Sequence, residues 1–105
     1  MWLVPARFMC DKHLLGEHLE LHMFVGSIKK GISMGGYLDG LLDTSKLLSR
    51  HKELVQEMQR RGMRHVSPLS FIPFKKEGWV DVIESFCILS ERCPYCRSRM
   101  VDITL

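Results

Sequence analysis

The chain has 105 residues, of which 46% are hydrophobic and 26% charged, and a formal net charge of +3. This length suits one domain with a modest core, residues 1–105, and the composition excludes disordered, collagenous and membrane-embedded classes. No apolar run approaches the roughly 18 residues that cross a bilayer. The start, MWLVPARFM, has no basic region leading into a long apolar stretch, so a cytoplasmic address with no membrane partner is expected.

In chain order, the pattern predicts an all-α fold: a compact three-helix domain with ordered loops. The first helix starts near Asp11, whose carboxylate can cap free N–H groups, and runs to about Lys29, with Gly31 ending it. Leu14, Leu21, Val25 and Ile28 fall on one face, and His13, Glu17, Glu20 and Phe24 on a stripe roughly 100° away. GISMGGYLDGLLD, residues 31 to 43, reads as a glycine-rich loop with one or two turns. Thr44 or Ser45 caps the second helix, in which Leu47, Leu48, His51, Leu54, Val55 and Met58 recur at helical spacing. Arg60 and Arg61 complement its negative end and Gly62 offers a left-handed cap. Residues 63 to 77, with Pro68 and Pro73, read as an ordered loop. A third helix is expected from about Trp79 to Glu91, with Trp79, Val82, Ile83, Phe86 and Leu89 inward, although VDVI could also open a strand. The final CPYCRSRMVDITL has no strong periodicity.

His13, Glu17 and Glu20 stand at i, i+4 and i+7, so their side chains share one stripe, with Gly16 beside it. A cleft wall carrying an acid–base carboxylate is one reading. On spacing alone the plainer one is a solvated face on which His13 pairs with Glu17. Two basic clusters follow: Lys46, Arg50, Lys52, Arg60, Arg61 and Arg64 along the second helix, and Arg92, Arg97 and Arg99 around the CPYC. Each cluster taken alone is equally compatible with a solvated helix face.

The run CDKHLLGEHLELHMFVG, from Cys10 to Gly26, resembles the catalytic helix of the phage-type pyrimidine-dimer glycosylases. In that family a histidine is followed after four residues by a glutamate, then after three more by the catalytic glutamate. A leucine comes next and a Phe-Gly pair lies near the helix end. Here these read His13, Glu17, Glu20, Leu21 and the slightly shifted Phe24 to Gly26. RHKELVQEMQRRGM, from Arg50 to Met63, is similar to the family's second helix, and the two segments together span most of residues 10 to 66.

The resemblance implies an all-α DNA repair glycosylase with abasic-site lyase activity, acting without a catalytic cofactor on damaged duplex DNA. The implied setting is viral or the bacterial nucleoid, and the implied state monomeric. Glu20 matches the glutamate that assists glycosidic cleavage and stabilises the covalent imine. His13 matches the histidine beside the damaged sugar, and Arg60 and Arg61 match basic residues near phosphates. The family's nucleophile is the free N-terminal α-amine, which attacks the anomeric sugar carbon to form a Schiff base. An α-amine of pKa about 7.7–8.0 is roughly a tenth neutral at pH 7, whereas a lysine near about 10.4 is almost wholly protonated. Bulky Trp2 favours retention of Met1, which makes the Met1 amine the implied nucleophile.

Leu19 and Met23 stand where the family carries two helix arginines, and its aromatic, lysine-rich tail is missing. The DNA-contacting surface is therefore expected from Arg7, Lys12, Lys29 and Lys30 together with Arg60, Arg61 and Arg64.

Four cysteines without a secretory signal argue against a disulfide framework. Cys93-Pro-Tyr-Cys96 has the spacing of half a structural zinc site, with Cys87 and Cys10 or a histidine as candidates to complete a zinc knuckle over residues 87–99. Buried, redox-idle thiols are the bland alternative. His18 and His22, four apart, could also face a metal, but beside the apolar stripe packing is the plainer expectation. A different functional class fits the same residues: a non-catalytic nucleic-acid-binding module using the second helix and a CPYC-centred knuckle.

Overall fold

The computed structural model describes residues 1–32, 36, 39–64, 68–69 and 78–101. Residues 65–67 and 70–77 of the ordered loop expected over 63–77, and the tail beyond 101, lie outside the described residues, as does much of the glycine-rich stretch.

Two long helices form the frame. Helix α1 is Asp11–Lys29 and helix α2 is Leu47–Arg60, and they pack on each other through Leu14, Leu21 and Val25 on one side and Leu47, Leu54 and Met58 on the other. The boundaries follow the expected punctuation with one change at each start. Cys10, not Asp11, occupies the N-cap of α1 and makes no side-chain cap bond; the Asp11 carboxylate sits in the first turn. A 3-10 turn at Thr44–Lys46 precedes α2, and Asp43 accepts from the Ser45 N–H at 3.1 Å to start it. Both helices end on a glycine in the left-handed region, Gly31 at φ 71° and Gly62 at φ 79°. The N–H groups of Ile32 and Met63 return to Ser27 and Met58, satisfying carbonyls that the helix leaves open.

Before α1 runs an N-terminal arm, residues 1–10, with a 3-10 turn at Ala6–Phe8. Val4, Ala6, Phe8 and Met9 are buried, so the arm is part of the core rather than a free end.

The expectation of three helices is corrected to four α-helices among the described residues, plus a small sheet. Strand β1, Asp39–Leu42, pairs in parallel with strand β2, Trp79–Val80, in an irregular register that sets Asp39 against Trp79 and Gly40 against Val80. Gly40 is required there. Its φ is 92°, and a Cβ would stand 3.4 Å from the Trp79 ring. The third helix, α3, is Val82–Arg92; the alternative reading of VDVI thus applies one residue earlier, with Trp79 and Val80 in the strand. Asp81 caps α3 by accepting from the Glu84 N–H at 3.0 Å. The fourth helix, α4, is Pro94–Val101, opened by a proline at its first position, where no N–H is needed. Helices α3 and α4 pack together, and α4 packs on the 3-10 turn of the arm. No helix among the described residues is long and apolar enough to cross a membrane.

Candidate active site and metal group

Three backbone N–H groups of the arm end on carboxylates projecting from the two long helices. The Met1 amine donates to Glu20 Oε1, and also to the Leu41 carbonyl at 3.0 Å. Trp2 N–H donates to Glu17 Oε1 at 3.1 Å, and Ala6 N–H to Glu53 Oε2 at 2.9 Å. Leu3, at φ 58°, holds a left-handed conformation unusual for a residue with a side chain, and it lies directly after the two residues whose nitrogens are captured. Met1 is buried, while the Glu20 side chain retains 42% of its surface, so the amine–carboxylate pair opens to solvent on the Glu20 side.

Glu17 takes a different environment from Glu20, three residues on. It is buried and receives Arg50 as a two-pronged partner, through Nε to Oε2 and through an NH2 group at 2.9 Å to Oε1. The expected pairing of Glu17 with His13 on a solvated face is therefore overturned. Arg50 is itself buried, touches Met9 Sδ at 3.3 Å and pairs with Glu53 at 3.0 Å. Burial alone would lower the Arg50 pKa; hydrogen bonding and charge from Glu17, with Glu53, outweigh it and hold the guanidinium above its ordinary value. Arg50 and Glu53 are the residues that sequence reasoning missed. The available signal was position: Arg50 falls in the inward set Leu47, Arg50, His51, Leu54, Met58, where a surface cation is out of place.

The cations expected at DNA divide in two. Arg61 is only 11% exposed, and its guanidinium is fully engaged with Glu57 (2.8 Å), Asp11 (2.9 Å) and the carbonyls of Ala6 (3.2 Å) and Met9 (2.7 Å). It ties α2 to the arm and to the start of α1. Arg60 pairs with the same Glu57 but keeps 65% of its side chain exposed. Arg7, Lys12, Lys29, Lys30 and Arg64 are exposed.

His13 comes to the cysteines. Its Nδ1 lies 3.2 Å from Cys10 Sγ and 3.4 Å from Cys96 Sγ, and Cys10 Sγ is 3.8 Å from Cys93 Sγ. The ring also stands edge-on to Trp2, with centroids 6.0 Å apart. Cys10, His13, Cys93 and Cys96 thus form a group that could hold a metal ion. A tetrahedral ion with metal–sulfur bonds of about 2.3 Å sets its sulfurs about 3.8 Å apart. Cys87 is exposed on α3 and outside this group, so His13 takes the place that Cys87 was expected to fill. The Cys10 N–H donates to Cys96 Sγ at 3.2 Å and the Cys96 N–H to Cys93 Sγ at 3.4 Å.

Burial, then the nearby Lys12 charge, hold the His13 imidazole below its ordinary value, which keeps it neutral and able to ligate. Burial opposes the Cys93 thiolate, yet hydrogen bonds from the Cys96 backbone and from neighbouring thiols bring Cys93 below its ordinary value. Cys96 is pushed up to about 12 by burial and the adjoining sulfurs. A hollow of about 620 Å³ lies beside the group, lined in part by Lys12, Arg92, Tyr95 and Arg99.

Fold and site together define a small helical protein whose N-terminal nitrogen is delivered to a glutamate on its first long helix. The family model described as pyrimidine dimer DNA glycosylase matches residues 1–70, and the chain belongs to that family. Comparison with curated proteins and with solved structures gives no match. The matched span includes Met1, His13, Glu17, Glu20 and Arg50 but ends before Cys93 and Cys96.

Proposed function

We propose that this chain is a glycosylase with abasic-site lyase activity that acts, as a monomer and a single domain, on pyrimidine dimers or related lesions in duplex DNA. The observation that carries the reading is the contact between the Met1 amine and Glu20. A carboxylate touching the amine can accept its proton, leaving the nitrogen lone pair free. The neutral amine then attacks C1′ of the damaged nucleotide. The glycosidic bond breaks, its electron pair leaving with the base, which stays tied to its dimer partner. The departing base anion takes a proton from the secondary ammonium formed at C1′. Glu20 then gives the proton it holds to the ring oxygen as the C1′–O4′ bond opens, and the protonated Schiff base that results lies beside the regenerated Glu20 carboxylate. Removal of a C2′ proton then expels the 3′ phosphate and nicks the strand. To reach C1′, the lesion or its partner base must leave the stack. Arg7, Lys12, Lys29, Lys30, Arg60 and Arg64 supply the phosphate contacts. Arg61 drops out of that set because its donors are engaged within the fold.

The Cys10–His13–Cys93–Cys96 group fits a structural zinc with a closed, four-ligand shell. Its ligands come from the arm's end, α1 and the α3–α4 junction, so the ion would clamp the C-terminal helices onto the segment that carries Met1. His13, in this reading, ligates metal and does not flank the sugar.

The test is nicking of ultraviolet-irradiated duplex by the wild type and by Glu20→Gln. Loss of nicking with binding retained is expected. Binding by both without nicking by either would instead favour a non-catalytic nucleic-acid module, for which the basic hollow beside Cys93 is the specific observation.

A further inference from the structure

We propose that His18, His22 and His51 form a second metal site, one that takes a borderline divalent transition-metal ion on imidazole nitrogens alone. His18 and His22 are one turn apart on α1 and project to the same side. His51 reaches them from α2 where the two helices pack. The three rings form a nearly equilateral triangle, with centroids 4.8, 5.0 and 5.2 Å apart. One ligating nitrogen from each lies within 4.8 Å of the other two. Metal–nitrogen bonds of about 2.0–2.1 Å in a tetrahedral shell set nitrogens about 3.4 Å apart, so small rotations about the side-chain torsions close the site.

Packing alone accounts poorly for this arrangement. His51 is buried and the other two are half-buried, at a seam whose neighbouring positions carry Leu21, Val25, Leu47 and Leu54. The Nε2 atom of His22 is buried with no hydrogen-bond partner among the described residues, a condition that folded proteins rarely leave uncorrected. A cation at the centre of the triangle supplies that partner. Neither a thiolate nor a carboxylate belongs to the group, so the donor set suits zinc, nickel, cobalt or copper rather than magnesium or calcium. Three protein ligands leave a fourth position for water.

The site is separate from the cysteine group, with no residue in common. It bridges α1 and α2, the helices that hold Glu20, Glu17 and Arg50. The inference depends neither on the glycosylase reading nor on zinc at the cysteines.

The test is a titration with Co2+ of the purified chain, its imidazole-bound metal first removed with a mild chelator, followed by metal analysis and absorption spectroscopy. The wild type is expected to take up an added equivalent whose spectrum shows d–d bands without thiolate charge-transfer bands, and to gain several degrees in thermal midpoint. His22→Ala and His51→Asn should each lose that equivalent. Where they are made metal-free and reloaded, thiolate bands at the cysteine group show that the variants are folded. If the cysteines hold no metal, circular dichroism serves as the fold control. The proposal is overturned if the wild type takes up no thiolate-free equivalent, or if folded His22→Ala retains it.

Discussion

Glu17 and Glu20 are three residues apart on one helix, yet burial separates their roles. Glu17 is locked against Arg50 in the interior, whereas Glu20 faces the Met1 amine at a partly open edge. Glu17→Gln would strand the buried Arg50 charge and is expected to cost about 3–5 kcal/mol, read by urea unfolding. Glu20→Gln should change stability by less than about 1 kcal/mol, as expected for a partly exposed pair, while abolishing strand cleavage. Glu57 gives a pH prediction. Burial would raise its carboxyl, but Arg61 and Arg60 win and hold it below its ordinary value near 4.5. A carboxyl depressed in the folded state stabilises the fold above its unfolded pKa, and that contribution fades as pH falls from there through the folded value. Glu57→Gln should therefore reduce the acid sensitivity of the thermal midpoint below about pH 5 and lower the midpoint at neutral pH. The pattern His13, Glu17, Glu20 was legible in the sequence because helical spacing is local. The place of Glu20 beside the Met1 amine was reachable only through the family resemblance. The ion pairing of Glu17 and the metal-group place of His13 were not legible, because Arg50 and Cys96 are remote in sequence and enter only through packing.

At the level of elements, α1 and α2 were legible because each combines an apolar stripe with a glycine that needs a positive φ. Helix α4 was not. Its eight residues, PYCRSRMV, show little amphipathic pattern, and it buries Cys96 against the arm rather than presenting an apolar face. Of the two short strands, β1 escaped notice and β2 entered only as the alternative reading of VDVI, for a related reason: four residues and two residues are too few to show alternation. The arm is held at one end by Glu20 and Glu17, and at the other by the cysteine–histidine group and by Arg99, whose Nε donates to the Arg7 carbonyl at 2.7 Å. Protein purified without added zinc is expected to carry about one zinc per chain at the cysteine group, beyond any at the histidines. Cys93→Ser should lose it, lower the thermal midpoint and alter the fluorescence of Trp2, which contacts His13. A Cys93→Ser protein with unchanged zinc content and midpoint would rule out the clamp.

For the whole molecule, charge decides how the protein meets DNA. A net charge of +3 is modest, and Leu19 and Met23 are exposed on α1 where the family resemblance places arginines. Duplex binding should consequently be weak and salt-sensitive. Adding Leu19→Arg and Met23→Arg together should tighten it and steepen the slope of log K against log salt by about 1.8, as for two further phosphate contacts. An unchanged slope would place the DNA on another face. The central claim, that the Met1 nitrogen attacks the sugar, is tested most directly by borohydride reduction during reaction with abasic or ultraviolet-damaged duplex, followed by peptide mapping of the crosslink. The expected result is a covalent complex in which the DNA remnant is attached to the Met1 amine, lost when that amine is acetylated. A crosslink mapped to Lys12 or another lysine, or none with active protein, would contradict it.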